Sequence, residues 1–238
     1  MTGVIAEEKG FTLLEILVAI FIFAVVMTTI YASFNAVVSK NEAVRQGRGL
    51  YDMGRNCLER MAEDFSAIYV EQPPLYEPPD YNDPDDPYRF VAEEEIEASE
   101  TFSRVRFAAD AHLPMGGETE DGLAEIVYYV EKSGQEQSGF VLRRSDTVFA
   151  YDAEEFRDEQ AADPVVCKNV QKFSLIFLDK DGEETSDWDS GENMGKYATP
   201  RAVKIELELA EGAAARAFHT AVTIPVYREK IESGRQGP

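Results

Sequence analysis

Basic side chains are scarce in this chain: 23 Lys and Arg stand against 45 Asp and Glu over 238 residues, for a formal net charge of −22 and a sequence pI near 4.4. No nucleic acid partner is therefore expected, because a phosphate backbone is held by clustered Lys and Arg. Histidine is as sparse, with His112 in a loop pattern and His219 in a strand pattern. Nothing in their surroundings makes a catalytic triad or a metal-ligand pair. A phosphate-cradling loop is missing too: GRGLYDMGR lies in a helical pattern and lacks the P-loop lysine. These absences argue against an enzyme, and no cofactor is expected.

Long apolar runs are equally few, and only one has the length of a membrane span. From Phe11 to Ala32 the chain reads FTLLEILVAIFIFAVVMTTIYA, in which Glu15 is the only charged residue. At the α-helical rise such a stretch covers ~33 Å, enough for a hydrocarbon core of ~30 Å. The run outlasts the apolar region of a secretory signal, and no small-x-small cleavage site follows it. Everything beyond it reads as a soluble region on a membrane stalk. A carboxylate at Glu15, inside hydrocarbon, is costly and calls for a partner.

The string Lys9-Gly10-Phe11-Thr12-Leu13-Leu14-Glu15 resembles the class III signal of the type IV pilin-like superfamily, which includes type II secretion pseudopilins. The resemblance implies that a prepilin peptidase cuts between Gly10 and Phe11 and N-methylates Phe11. It also implies that Glu15, the fifth mature residue, meets the Phe11 amine of a neighbouring subunit during filament assembly. Glu7 and Glu8 beside Lys9 depart from the net positive charge usual on the cytoplasmic flank and leave orientation to Lys9.

Past the span, Val37, Val44, Tyr51, Leu58 and Phe65 recur every seven residues, with Met61 and Ile68 beside them. The pattern predicts that the helix continues, amphipathic, to about Ile68. Gly47, Gly49 and Gly54 weaken it as a free-standing coiled coil, so packing on the chain's own domain is expected. Six of the eleven prolines then fall between Pro73 and Pro87, and Glu71 to Glu100 holds eleven acidic residues against Arg89 alone. This predicts an exposed acidic loop over 70–100, its tyrosines docked on the head or on a partner, or simply solvated.

The remaining segments, Phe102–Ala108, Glu125–Glu131, Phe140–Arg144, Val170–Leu178, Val203–Leu209 and Phe218–Val226, read as strands. In RAVKIELEL, Val203, Ile205, Leu207 and Leu209 face one way and Lys204, Glu206 and Glu208 the other, and a turn at Glu211-Gly212 joins this strand to the next. The fold class is α+β: a long N-terminal helix, half transmembrane and half amphipathic, packed on a mostly antiparallel β head.

The run from Phe173 through Asp179 and Asp181 to Gly182, then Trp188, then Pro200-Arg201-Ala202-Val203 is similar to the head of the minor pseudopilin J family of type II secretion. With the N-terminal signal, the resemblance covers both ends of the mature chain and implies a pilin-like subunit, while the acidic Pro-rich insertion is not part of it; the chain is then organised as leader 1–10, transmembrane helix 11–34, stem 35–69, acidic loop 70–100, head 101–230 and tail 231–238. It further implies an inner-membrane protein with a periplasmic head at the tip of a pseudopilus. Its partners would be the prepilin peptidase, the major pseudopilin filament and minor pseudopilins resembling I, K and H. A minor pilin of a type IV pilus and a single-pass anchored binding domain are the alternatives.

Two further features stay open. Cys57 on the stem and Cys167 before a strand would close a loop of about 110 residues if bridged, adding ~4–5 kcal/mol in the chain-entropy model; two buried thiols are the alternative. Asp179, Asp181, Glu183, Asp187, Asp189 and Glu192 carry oxygen ligands that suit calcium, but the EF-hand spacing fails, so a solvated turn is expected and no metal is assigned.

Overall fold

The computed structural model describes residues 12–79, 86–113, 122–134, 139–149, 163–192, 197–212 and 214–231, with residues 38–46 described by their backbone alone. The chain divides into two units, Met1–Gln46 and Gly47–Pro238. Helix α1, Leu13–Ser66, contributes to both.

In the first unit, Leu13–Val37 has a mean hydropathy of 2.7 and is the one stretch among the described residues long and apolar enough to cross a membrane. Its large side chains are exposed among the described residues; Leu13 is 83% exposed and Phe21 66%. Two hydroxyls inside this stretch are satisfied within the helix. Thr28 Oγ1 donates to the carbonyls of Ala24 and Val25, and Thr29 Oγ1 to that of Val26, at 2.7–3.0 Å. Such back-bonding is what allows hydroxyls at membrane depth.

The second unit sets the last twenty residues of α1 against an antiparallel sheet. Nine strands lie among the described residues: β1 (Val91–Glu97), β2 (Glu100–Ala109), β3 (Ala124–Lys132), β4 (Phe140–Val148), β5 (Val165–Leu178), β6 (Glu184–Thr185), β7 (Trp188–Asp189), β8 (Ala202–Glu211) and β9 (Ala214–Thr223). Their order is β7-β1-β2-β3-β4-β5-β8-β9, with β6 paired to β5. Alternation fixes the faces as the sequence led one to expect: Val203, Ile205, Leu207 and Leu209 of β8 are fully buried, and so are Phe173, Leu175 and Phe177 of β5. Where β5 turns from β4 to β8, Ser103 Oγ of β2 accepts the Leu175 N–H at 2.9 Å.

Helix and sheet meet along a stripe that differs from the seven-residue repeat read in the sequence. The buried helical positions are Gly47, Leu50, Gly54, Cys57, Met61, Asp64 and Phe65, spaced three and four apart as a helix face requires. Val37 and Tyr51 are 56% and 53% exposed. Two glycines and an aspartate, invisible to a hydropathy count, hold places on the packing face. A Cβ at Gly54 would stand 2.4 Å from the Phe218 ring of β9, so glycine there lets the ring lie against the helix. The helix ends at Ser66; Ile68 then forms a single bridge to Ala109, with Tyr69 N–H donating to Ala108 O and Asp110 N–H to Ala67 O.

The acidic segment is partly strand. β1 lies inside 70–100 and pairs with β2 along its whole length through a two-residue turn at Ala98 and Ser99, both at positive φ. Glutamates fill its solvent positions, as suits a strand near a sheet edge. Tyr76, earlier in the segment, is buried against the head at 5% exposure. Residues 80–85 lie outside the described set.

Candidate functional site

The first turn of α1 is built on Thr12 and Glu15. Thr12 N–H and Thr12 Oγ1 both donate to Glu15 Oε2 at 3.0 Å, and Glu15 N–H donates back to Thr12 Oγ1 at 3.3 Å. This is a reciprocal capping box: Thr12 is the N-cap, Glu15 the third helical residue, and donors that a helix start leaves orphaned are satisfied. The Thr-x-x-Glu spacing was present in the sequence as a capping signal and went unread beside the question of an assembly partner. Glu15 thus has donors within its own chain, and it opens a helix whose apolar face is bare. Gly10 and Phe11 lie outside the described residues.

In the second unit a few charged side chains are buried and used internally. Asp64, fully buried on α1, receives Arg144 of β4 at 2.7 Å and 3.2 Å, the Tyr128 hydroxyl of β3, and Arg60 from one turn earlier. Arg144 also donates to Asp146 at 2.6 Å and to the Ala111 carbonyl at 2.9 Å. Burial and then the Asp64 carboxylate hold the Tyr128 hydroxyl well above its usual pKa, so it stays a donor. Burial alone would raise Asp146, but hydrogen bonds from Arg144, His112 and the Leu113 N–H outweigh it and keep that carboxyl below its ordinary value. His112 Nδ1 sits 2.8 Å from Asp146, a pairing that ties the chain after β2 to β4. His219 is exposed, 3.9 Å from Glu206. No local pattern announces the Asp64–Arg144 pair, whose members are 80 residues apart.

A second polar cluster pins the proline-rich segment. Arg228, 2% exposed, lies over the Tyr76 ring at 3.4 Å and donates to the carbonyls of Tyr197 (2.6 Å), Ser190 (3.1 Å) and Glu71 (3.2 Å), with Asp86 at 3.5 Å. One guanidinium therefore joins four separate segments.

The carboxylate-rich turns around a cavity of about 330 Å³ hold their own backbone. Asp179 accepts the N–H groups of Asp181 and Glu183 and the Lys230 ammonium, and Asp189 accepts the Gly191 N–H. No group of three or more His, Cys, Asp or Glu side chains placed to hold a metal ion occurs among the described residues. Cys57 and Cys167, 110 residues apart in sequence, are both buried and both free, and Cys167 with burial holds the Cys57 thiol above its ordinary pKa.

Chemically, the buried charges of the second unit hold its own architecture, whereas the first unit presents a capped carboxylate on a helix whose large apolar side chains are exposed among the described residues. A family model described as type II secretion system (T2SS), protein J, matches residues 32–220. A second, described as the prokaryotic N-terminal methylation motif, matches residues 6–31. No curated protein matches the chain.

Proposed function

The chain belongs to the type II secretion system protein J family, a family of structural pseudopilins, and we propose from that premise that it acts at the tip of the pseudopilus. There it joins minor pseudopilins resembling I, K and H, primes the major pseudopilin filament, and helps drive folded proteins through the outer membrane. The observation that carries the reading is the start of α1: a methylation motif over residues 6–31 leads into a span whose first turn is closed by Thr12 and Glu15.

In this reading the prepilin peptidase cuts between Gly10 and Phe11, methylates Phe11, and leaves the span in the inner membrane with the head in the periplasm. The freed amine stands one residue before Thr12. On entry to the filament, Glu15 exchanges the two Thr12 donors for the stronger charge-assisted contact with a neighbour's amine. The bare faces of Leu13–Val37 pack against neighbouring helices at the same time. Neutralising a carboxylate and a cation together in hydrocarbon favours the assembled state over the separate subunits. The match over residues 32–220 favours a secretion pseudopilin over a pilus subunit, because the N-terminal signal is common to both.

The test is complementation. Cells lacking the chain should retain exported substrates in the periplasm, and the full-length protein should restore secretion and cross-link through its span to the other pseudopilins. Restoration without any cross-link, or a mature protein still beginning at Met1 in the presence of the peptidase, would remove this reading.

A further inference from the structure

Cys57 lies on the buried stripe of α1, and Cys167 stands on β5 opposite Leu142 of β4. Both side chains are fully buried, and Cys167 is the neighbour that does most to hold the Cys57 thiol above its ordinary pKa. Neighbouring contacts hold the approach from both sides. The Cys167 thiol faces the Met53 carbonyl at 3.9 Å, and the Lys168 N–H meets the Met53 sulfur at 3.4 Å, so the turn of α1 ending at Cys57 rests on the start of β5. Leu50 and Met61, also fully buried, continue the stripe on either side. Helix and sheet packing thus brings the two cysteines to facing positions, the first condition a disulfide sets.

We propose that Cys57 and Cys167 are a redox pair that closes into a stem-to-sheet disulfide as the head folds outside the cytoplasm. The proposal rests on the periplasmic placement argued above, since an oxidising compartment is required. The oxidant is an exported dithiol–disulfide exchange protein. One cysteine thiolate attacks the donor's disulfide and forms a mixed disulfide. The second cysteine thiolate then attacks that bond, forming Sγ–Sγ and expelling the donor's other sulfur. Two electrons pass to the donor, which leaves as a dithiol carrying the two protons given up by the cysteines. In the closed, reduced domain Cys167 and burial hold the Cys57 thiol protonated, so exchange takes place while the stem is still docking. The bond would fasten the membrane-anchored helix to the sheet covalently, so that a push along the filament reaches the head without levering the two apart.

The experiment uses the full chain in membranes. Cells are quenched in acid, the protein is denatured, and free thiols are counted with a maleimide-polyethylene glycol reagent before and after reduction. External protease on spheroplasts reports, in parallel, where the head lies. The expected result is a digested head and no labelled thiol until reductant is added, as a monomer on a non-reducing gel. Either single substitution, Cys57→Ser or Cys167→Ser, should give one labelled thiol without reduction. Reductant should lower the melting temperature of the extracted chain by roughly 10 °C. A digested head with two freely labelled thiols overturns the disulfide and leaves the placement intact. A protected head overturns the placement and, with it, the oxidation.

Discussion

Arg144 Nε lies 2.7 Å from Asp64 Oδ2, and the two side chains are 4% and 0% exposed, so one ion pair closed from water joins α1 to the middle of the sheet. A buried pair gains little over a well-packed apolar one, but removing a single member leaves an uncompensated charge. Asp64→Ala should therefore lower the stability of the second unit by roughly 3–5 kcal/mol, while Tyr128→Phe, which removes one donor to the same carboxylate, should cost about 1.5–3 kcal/mol. Urea unfolding of the two variants checks the order. Equal losses would mean that leaving Arg144 without its carboxylate costs no more than the loss of one hydrogen bond.

Asp146 makes the same cluster sensitive to acid. Its pKa is lower in the folded chain than in the unfolded one, so between the two values the unfolded state binds more protons. The stabilisation is present above the unfolded carboxyl pKa of about 3.9 and is lost as pH falls through the folded value. Wild type should therefore lead Asp146→Asn in melting temperature at pH 7, with the gap narrowing towards pH 3. A gap that stays constant across that range would show that Asp146 acts only by its shape.

Two glycines of α1 should respond to alanine in opposite directions. At Gly49 a Cβ meets nothing within 4 Å, so Gly49→Ala should stabilise by about 0.8–1 kcal/mol through helix propensity. At Gly54 the Cβ would meet the Phe218 ring, and overpacking of roughly 1–3 kcal/mol should exceed that gain. Denaturation midpoints decide it; a stabilised Gly54→Ala would mean that the ring swings aside freely.

Much of the head was legible because Val203, Ile205, Leu207 and Leu209 alternate with charged residues, and strand pairing only had to respect that alternation. The phase of the stem helix was not. Its buried face is carried by Gly47, Gly54 and Asp64 as well as by apolar residues, and Asp64 is tolerated because Arg144 and Tyr128 arrive from distant strands and join Arg60 of the same helix. β1 hid behind its glutamates. Its turn uses Ala98 and Ser99 at φ of 49° and 79°, where Asn-Gly would have announced a hairpin. Arg228 was silent for a related reason: its partners are backbone carbonyls, which carry no residue code.

Removing Arg228 should release the segment it pins. Arg228→Ala leaves the carbonyls of Glu71, Ser190 and Tyr197 without that donor and the Tyr76 ring without its cation, at roughly 2–5 kcal/mol. Limited proteolysis should then cut faster around residues 71–79. Tyr76→Phe should be close to neutral, because the buried Tyr76 hydroxyl has no hydrogen-bond partner among the described residues. Cleavage of Arg228→Ala at the wild-type rate would show that the segment is held by other contacts.

The two roles argued for Glu15, capping α1 in the free subunit and meeting an amine in the filament, can be separated by substitution at the other end of the box. Thr12→Val removes the Oγ1 that donates to Glu15 and accepts its N–H but keeps the carboxylate. The first turn should fray, and assembly should be largely retained, because the neighbour's amine is still met by a charge. Glu15→Leu removes the carboxylate altogether. Insertion should be as good or better, since the span becomes more apolar, yet the Phe11 amine of a neighbour is left without its counter-charge. Cross-linking to partner pseudopilins and secretion, compared at matched membrane levels and with cleavage at Gly10 verified, should be lost in Glu15→Leu and mostly kept in Thr12→Val. Equal loss in both would make the capping box itself the assembly element. Unchanged assembly in both would mean that the carboxylate is dispensable in this subunit, as a place at the very tip would permit, where fewer neighbours offer an amine.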